Sequence, residues 1–84
     1  MKMTEKFPDI KKNETVLVRA EMSTGYVLDV ELEYAINSNQ KVYTIFSTLE
    51  EAVKYAKLLV ANNENVECNL YGIGEEFLMR IDHS

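Results

Sequence analysis

Residues 47–62 read Ser47-Thr-Leu-Glu-Glu-Ala-Val-Lys-Tyr-Ala-Lys-Leu-Leu-Val-Ala-Asn62, and the fold follows from how this stretch must be packed. Ser47 with Glu50 three residues on is a capping-box pattern, in which the hydroxyl accepts from an early helix N–H and the carboxylate reaches back. Leu49, Ala52, Val53, Ala56, Leu59 and Val60 recur at intervals of three and four, which places them on one stripe of a helix over about 48–62. Glu50, Glu51, Lys54 and Lys57 take the other side, with Glu50 and Lys54 a favourable i,i+4 pair. Asn62-Asn63 supplies a residue type that tolerates the left-handed turn ending a helix. A helix with a single apolar stripe needs a surface to lie on, and the rest of the chain reads as strand.

Before the helix, Thr15 to Met22 alternates, with Val16, Val18, Ala20 and Met22 on one face. Ser23-Thr24-Gly25 is a turn with Gly where positive φ is wanted. Tyr26 to Ala35 alternates again, with Tyr26, Leu28, Val30, Leu32 and Tyr34 opposite Val27, Asp29, Glu31 and Glu33. Pairing across a three-residue loop matches Met22 with Tyr26, Ala20 with Leu28, Val18 with Val30 and Val16 with Leu32, and sets Arg19 against Asp29 on the other face. Lys41 to Phe46 is a third strand, pairing with the second and feeding the helix. After the helix, Val66 to Tyr71 and Glu76 to Asp82 form a hairpin around Gly72-Ile73-Gly74-Glu75. Its expected inner pairs are Leu70–Phe77, Cys68–Met79 and Val66–Ile81, with Glu67 and Arg80 a cross-strand charge pair outside.

The expected fold class is therefore α+β: β-β-β-α-β-β, a two-layer arrangement with one helix on one face of a five-stranded mixed or antiparallel sheet. A right-handed crossover through the helix makes the third and fourth strands run the same way. The order 3-2-1-4-5 is preferred to 1-2-3-4-5 because it centres the helix. The 84 residues make one domain over 14–84. Residues 1–13, Lys-rich and carrying Pro8, are expected to be a flexible segment, with docking through Met3, Phe7 and Ile10 as the other reading. A chain this short buries roughly 60–65% of its unfolded surface, so few apolar residues remain for a deep substrate cavity.

Charge and residue inventory narrow the function. A net charge of −5 argues against a general nucleic-acid binder, which must neutralise phosphates. One cysteine, Cys68, points to a reducing compartment. With no apolar leader and no run long enough to span a bilayer, the expected location is cytoplasmic. Asn13-Glu14-Thr15 matches a glycosylation sequon that has no consequence without export. A catalytic site needs a nucleophile, base or metal within mutual reach. His83 is the only histidine and stands near the chain end, while Cys68 falls on the inner face as a small hydrophobe. Gly72-Ile73-Gly74 lacks the lysine or helix of a phosphate loop. No cofactor, metal or small-molecule substrate is implied.

Two features remain. Asp29, Glu31 and Glu33, at i, i+2 and i+4, form an acidic row if their stretch is a strand. Neighbours would stand roughly 6.5–7 Å apart, which suits a solvated face or a dock for a basic partner better than a shared cation. Beside them, Leu17, Val27, Tyr43, Ile45, Tyr71 and Leu78 project from the face that the helix leaves open, where a solvent face would be mostly polar. The candidate interaction face is thus Leu17, Val27, Asp29, Glu31, Glu33, Tyr43 and Ile45. The expected function is a small non-catalytic protein-interaction module that self-associates, as a homodimer, or binds an unknown protein partner through the helix-free face. The alternative is an acidic inhibitor or nucleic-acid mimic that occupies a basic groove on another protein.

Overall fold

The computed structural model describes residues 6–83. Five strands and one helix follow in the order β1 (Thr15–Glu21), β2 (Val27–Leu28), β3 (Tyr43–Phe46), α1 (Leu49–Asn62), β4 (Val66–Tyr71) and β5 (Phe77–Ile81). The class is α+β, a single antiparallel sheet with the helix on one face. β4 lies beside β1 with β5 outside it, as the preferred order requires. The other edge is built differently: β3 pairs with β1 over Thr15–Val18, and β2 pairs with β1 over Arg19–Ala20, so the two stand end to end along one side of β1. β3 and β4 therefore run the same way with β1 between them, and every described pair of neighbours is antiparallel.

The helix forms where its periodicity puts it, and Ala52, Ala56 and Val60 are its buried residues. The cap is Thr48 rather than Ser47, its hydroxyl accepting from Glu51 N–H at 3.1 Å. At the other end Asn63 is extended, not left-handed. The asparagines act through their side chains instead, Asn62 donating to the Leu58 carbonyl and Asn63 to that of Leu59.

The first hairpin departs from the expected register by one residue. Ala20 faces Val27 and Arg19 faces Leu28, because the loop holds four residues, closed by Glu21 N–H to Tyr26 O at 2.8 Å. Met22 is drawn out of the ladder by the loop that follows α1. Its N–H donates to Asn65 O, and Asn65 also accepts from Ser23 N–H and donates to the Ser23 hydroxyl. Gly25 takes φ +80° to close the turn. A one-residue slip exchanges the two faces of a strand. Leu17 thus joins Ala52, Ala56, Val60, Cys68, Leu70 and Ile81 beneath the helix. Val16 and Val18 turn to the opposite face, and Arg19 faces the helix rather than Asp29.

The second strand is short because Asp29 starts a turn. Its carboxylate accepts from the N–H groups of Glu31 and Glu33 at 2.8 and 3.0 Å, the local bonding that makes Asp a turn former. The chain reverses through Leu32 at φ 65° and returns so that Tyr34 bridges Leu28. Gln40 ties down the next loop, donating to Asp29 Oδ2 and Tyr34 O while accepting from Ile36 and Asn37 N–H.

The face away from the helix has a core of its own. Val16, Val18 and Val42 are buried there, with Phe7, Ile10, Ala35, Tyr43 and Tyr71 packed around them. Phe7 sets its ring edge-on to Tyr43 at 5.3 Å and to Tyr71 at 5.9 Å. Of the residues weighed for docking, Phe7 and Ile10 lie against the sheet, and Met3 falls outside the described residues. In the second hairpin, Cys68, Leu70, Met79 and Ile81 face inward as expected, but Cys68 pairs with Ile81 and Leu70 with Met79. A longer turn, with Gly74 and Glu75 both at positive φ, shifts the pairing by two. A bulge at Leu78 then sets Phe77 beside Tyr71 on the outer face, their rings 5.7 Å apart. Arg80 stands opposite Asn69 rather than Glu67, and its guanidinium lies 4.0 Å from Glu67 and 3.6 Å from Asp82.

Candidate interaction surface

The residues expected to share one open face are dispersed. Leu17 is 0% exposed beneath α1. This is a correction to the expected face, and its cause is the four-residue loop. Val27 and Ile45 are exposed and lie, by their pairing with Ala20 and Val16, on the helix-free side. Tyr43 is on that side too, half-buried under Phe7. The acidic row does not form: Asp29 is 7% exposed and spends its carboxylate inside the turn, while Glu31 and Glu33 project from the turn into solvent. Hydrogen bonds from the Glu33 backbone, the Gln40 side chain and the Glu31 backbone hold the Asp29 carboxyl below its usual range, with a further contribution from the Arg19 charge.

The densest run of exposed apolar side chains lies elsewhere, between residues 22 and 36, with others such as Leu58, Ile73 and Phe77 outside it. Met22, Tyr26, Val27, Val30, Tyr34 and Ile36 are all open to solvent, Tyr26 at 61% and Ile36 at 62%. Tyr26, Val27, Tyr34, Ala35 and Ile36 line an apolar hollow of about 390 Å³. The Tyr26 and Tyr34 rings meet edge to face at 5.6 Å, which gives the hollow a rigid aromatic wall. The small hairpin around Asp29 creates it, since Ala35 N–H bonds Val27 O and carries the following Ile36 out past the end of β2.

Tyr34 also lines a second depression, of about 520 Å³, whose other walls are Glu21, Leu28, Leu32, Glu33, Val66 and the loop Asn63-Glu64-Asn65. Its floor is apolar and its rim carries three carboxylates with no Lys or Arg among the lining residues. The loop is the one that ends α1, where the last backbone carbonyls give the helix its negative pole, and the last turn of α1 contains no basic residue. The Tyr34 hydroxyl donates to Glu21 at 3.0 Å, and this bond raises the phenol's pKa above its ordinary value. Glu21 further accepts from the Thr24 hydroxyl at 2.7 Å, so Tyr34 is fixed in place between the two depressions.

The alternation of Tyr26 to Ala35 predicts Tyr26 and Tyr34 under the helix and gives Ile36 no role. An isoleucine directly before the polar run Asn37-Ser38-Asn39-Gln40 was the available signal. For catalysis the described residues bring little together. Burial pushes the Cys68 thiol up to about 11, which leaves it protonated and unreactive at neutral pH. Among the described residues no group of three or more His, Cys, Asp or Glu could hold a metal ion, and no described helix is long and apolar enough to cross a membrane.

Arg19 is the unusual charged group. It is 2% exposed, with Nη2 donating to the Thr44 hydroxyl at 2.9 Å and the Tyr55 hydroxyl at 3.1 Å, and with its guanidinium carbon 5.6 Å from the centre of the Tyr55 ring. Its Nε and Nη1 are buried with no hydrogen-bond partner among the described residues. It lies within the core, opposite Leu28 and Cys68, and lines neither depression beside Tyr34.

Comparison with protein-family models, curated proteins and solved structures finds no match, so the chemistry of the surface has to be read from its own residues.

Proposed function

We propose that this protein is a small non-catalytic interaction module, and that it binds a protein partner through the surface built by residues 22–36. The observation that carries the reading is the concentration of exposed apolar side chains around the Tyr26–Tyr34 pair, next to a turn held rigid by Asp29 and Gln40. Exposed hydrophobes scattered singly need no explanation, but a contiguous patch with an aromatic wall is what partner-binding surfaces use. The helix-free face as a whole is a poorer candidate, because Phe7 and Ile10 already occupy its centre. The alternative of an acidic mimic loses its support with the carboxylate row, since Glu31 and Glu33 stand on a turn and Asp29 is inside it.

Site-specific photo-crosslinking tests the reading. With the photoreactive amino acid benzoylphenylalanine in place of Ile36, native extract should yield a discrete protein adduct, which Tyr26→Ala in the same chain abolishes. The same group in place of Lys54, on the outer side of α1, is the control. Equal adduct patterns from positions 36 and 54 would overturn the assignment.

A further inference from the structure

The geometry points to a specific partner chemistry: a peptide segment that places a Lys or Arg side chain in the carboxylate-rimmed cleft and an adjacent apolar side chain in the hollow, straddling Tyr34. This rests on the interaction reading above and says which segments that surface selects. The hollow alone would accept any apolar group. The cleft beside it is selective, because Glu21, Glu33 and Glu64 converge on it with the carbonyl end of α1 and no lining residue is cationic. An entering cation meets three carboxylates and the carbonyl end of α1, which together outweigh the buried cation nearby, Arg19 opposite Leu28. Leu28, Leu32 and Val66 form a floor along which the methylene stem of a Lys or Arg can lie while its head reaches the rim.

An anionic or neutral polar head would meet repulsion or unmatched acceptors at the same place, so charge complementarity sets the sign of the partner as well as its rate of approach. Tyr34 borders both depressions and is anchored by Glu21, so one segment lying across Tyr34 reaches both.

Selection from a random twelve-residue peptide library displayed against the full chain tests this, with counter-selection against Ile36→Asp to keep only binders that use the hollow. The expected binders carry Lys or Arg next to Leu, Ile, Met or an aromatic residue. Their affinity should fall at least fivefold for the Glu33→Gln, Glu64→Gln double variant and should weaken with added salt. Both glutamates are exposed, and matched unfolding midpoints verify that the variant is intact. Binders that depend on Ile36 but lack basic residues, or that ignore the double variant, would overturn the cationic assignment and leave the interaction surface standing. If no binder depends on Ile36, the surface and the inference built on it both fall.

Discussion

Replacing Arg19 with Met should leave the protein as stable as it is, or more so. Arg19→Met removes two hydrogen bonds from Nη2, to Thr44 and Tyr55. Each is a charge-assisted bond contributing about 1.5 kcal/mol net. Contact with the Tyr55 ring adds about 1 kcal/mol, so the loss totals about 4 kcal/mol. Against this stand Nε and Nη1, buried without an acceptor among the described residues, at about 1–3 kcal/mol each. Met keeps most of the stem's volume between Leu28, Cys68 and the helix, and its thioether adds about 1–2 kcal/mol of apolar burial. The hydroxyls left behind are not stranded, because Thr44 is half-buried and Tyr55 exposed, so both can turn to water.

The sum runs from about 1 kcal/mol of lost stability to about 4 kcal/mol gained, centred on the side of greater stability, in line with the behaviour of other buried charges replaced by well-packed apolar groups. Arg19→Ala keeps the same polar balance but opens a cavity under Tyr55, and should be about 2–3 kcal/mol less stable than the Met variant. Urea unfolding followed by far-ultraviolet circular dichroism gives both values, provided the slopes agree. If Arg19→Met lost more than about 3 kcal/mol, the guanidinium would have to be fully partnered in the folded protein, and the reasoning would be wrong.

Leu17→Ala, at a fully buried site beneath α1, should lower unfolding free energy by about 2–5 kcal/mol, whereas Ile45→Ala on the open side should change it by less than about 1 kcal/mol. Denaturant titration of the pair checks which face of the sheet the helix covers. The Asp29 carboxyl is depressed in the folded state, so its contribution is present above its ordinary value of 3.8 and is lost as pH falls through the folded value. Asp29→Asn should therefore be less stable than the parent at neutral pH, with the gap closing below about pH 4, as thermal midpoints measured across that range would reveal. Phe7→Ala should cost about 1–2 kcal/mol, because a half-buried ring loses edge contacts with two tyrosines. It should also raise amide exchange at Tyr43 and Tyr71.

What could be read from the sequence was whatever local periodicity determines. The helix was legible because its stripe repeats over four turns and its polar residues agree. The inner set Val66, Cys68 and Leu70 was legible because polar residues alternate with it. β1 was not, since Val16-Leu17-Val18 is apolar on both sides and alternation cannot say which side is inner. That choice falls to the loop length, which depends on Asn65 holding Met22 and Ser23, a contact between residues 42 apart in sequence. The acidic row failed for a different reason. Alternation suggests a strand, but the Asp29 carboxylate reaches the backbone N–H groups of Glu31 and Glu33, and the turn prevails. The bulge at Leu78 left no local trace, and with it went the expected inward position of Phe77. The surface around Ile36 follows from the same turn and carries no periodic signal of its own.

β1 is buried on both faces and flanked on both sides, yet it is made first of the five strands. During synthesis its apolar run leaves the ribosome about fifty residues ahead of β4, the neighbour that seals its longer flank. Pairing with β2 and then with β3 protects one flank in the meantime, over Arg19–Ala20 and Thr15–Val18. The flank that β4 covers thus stays open until that strand emerges, and a factor that shelters short hydrophobic segments should raise the soluble yield more than added thermodynamic stability would.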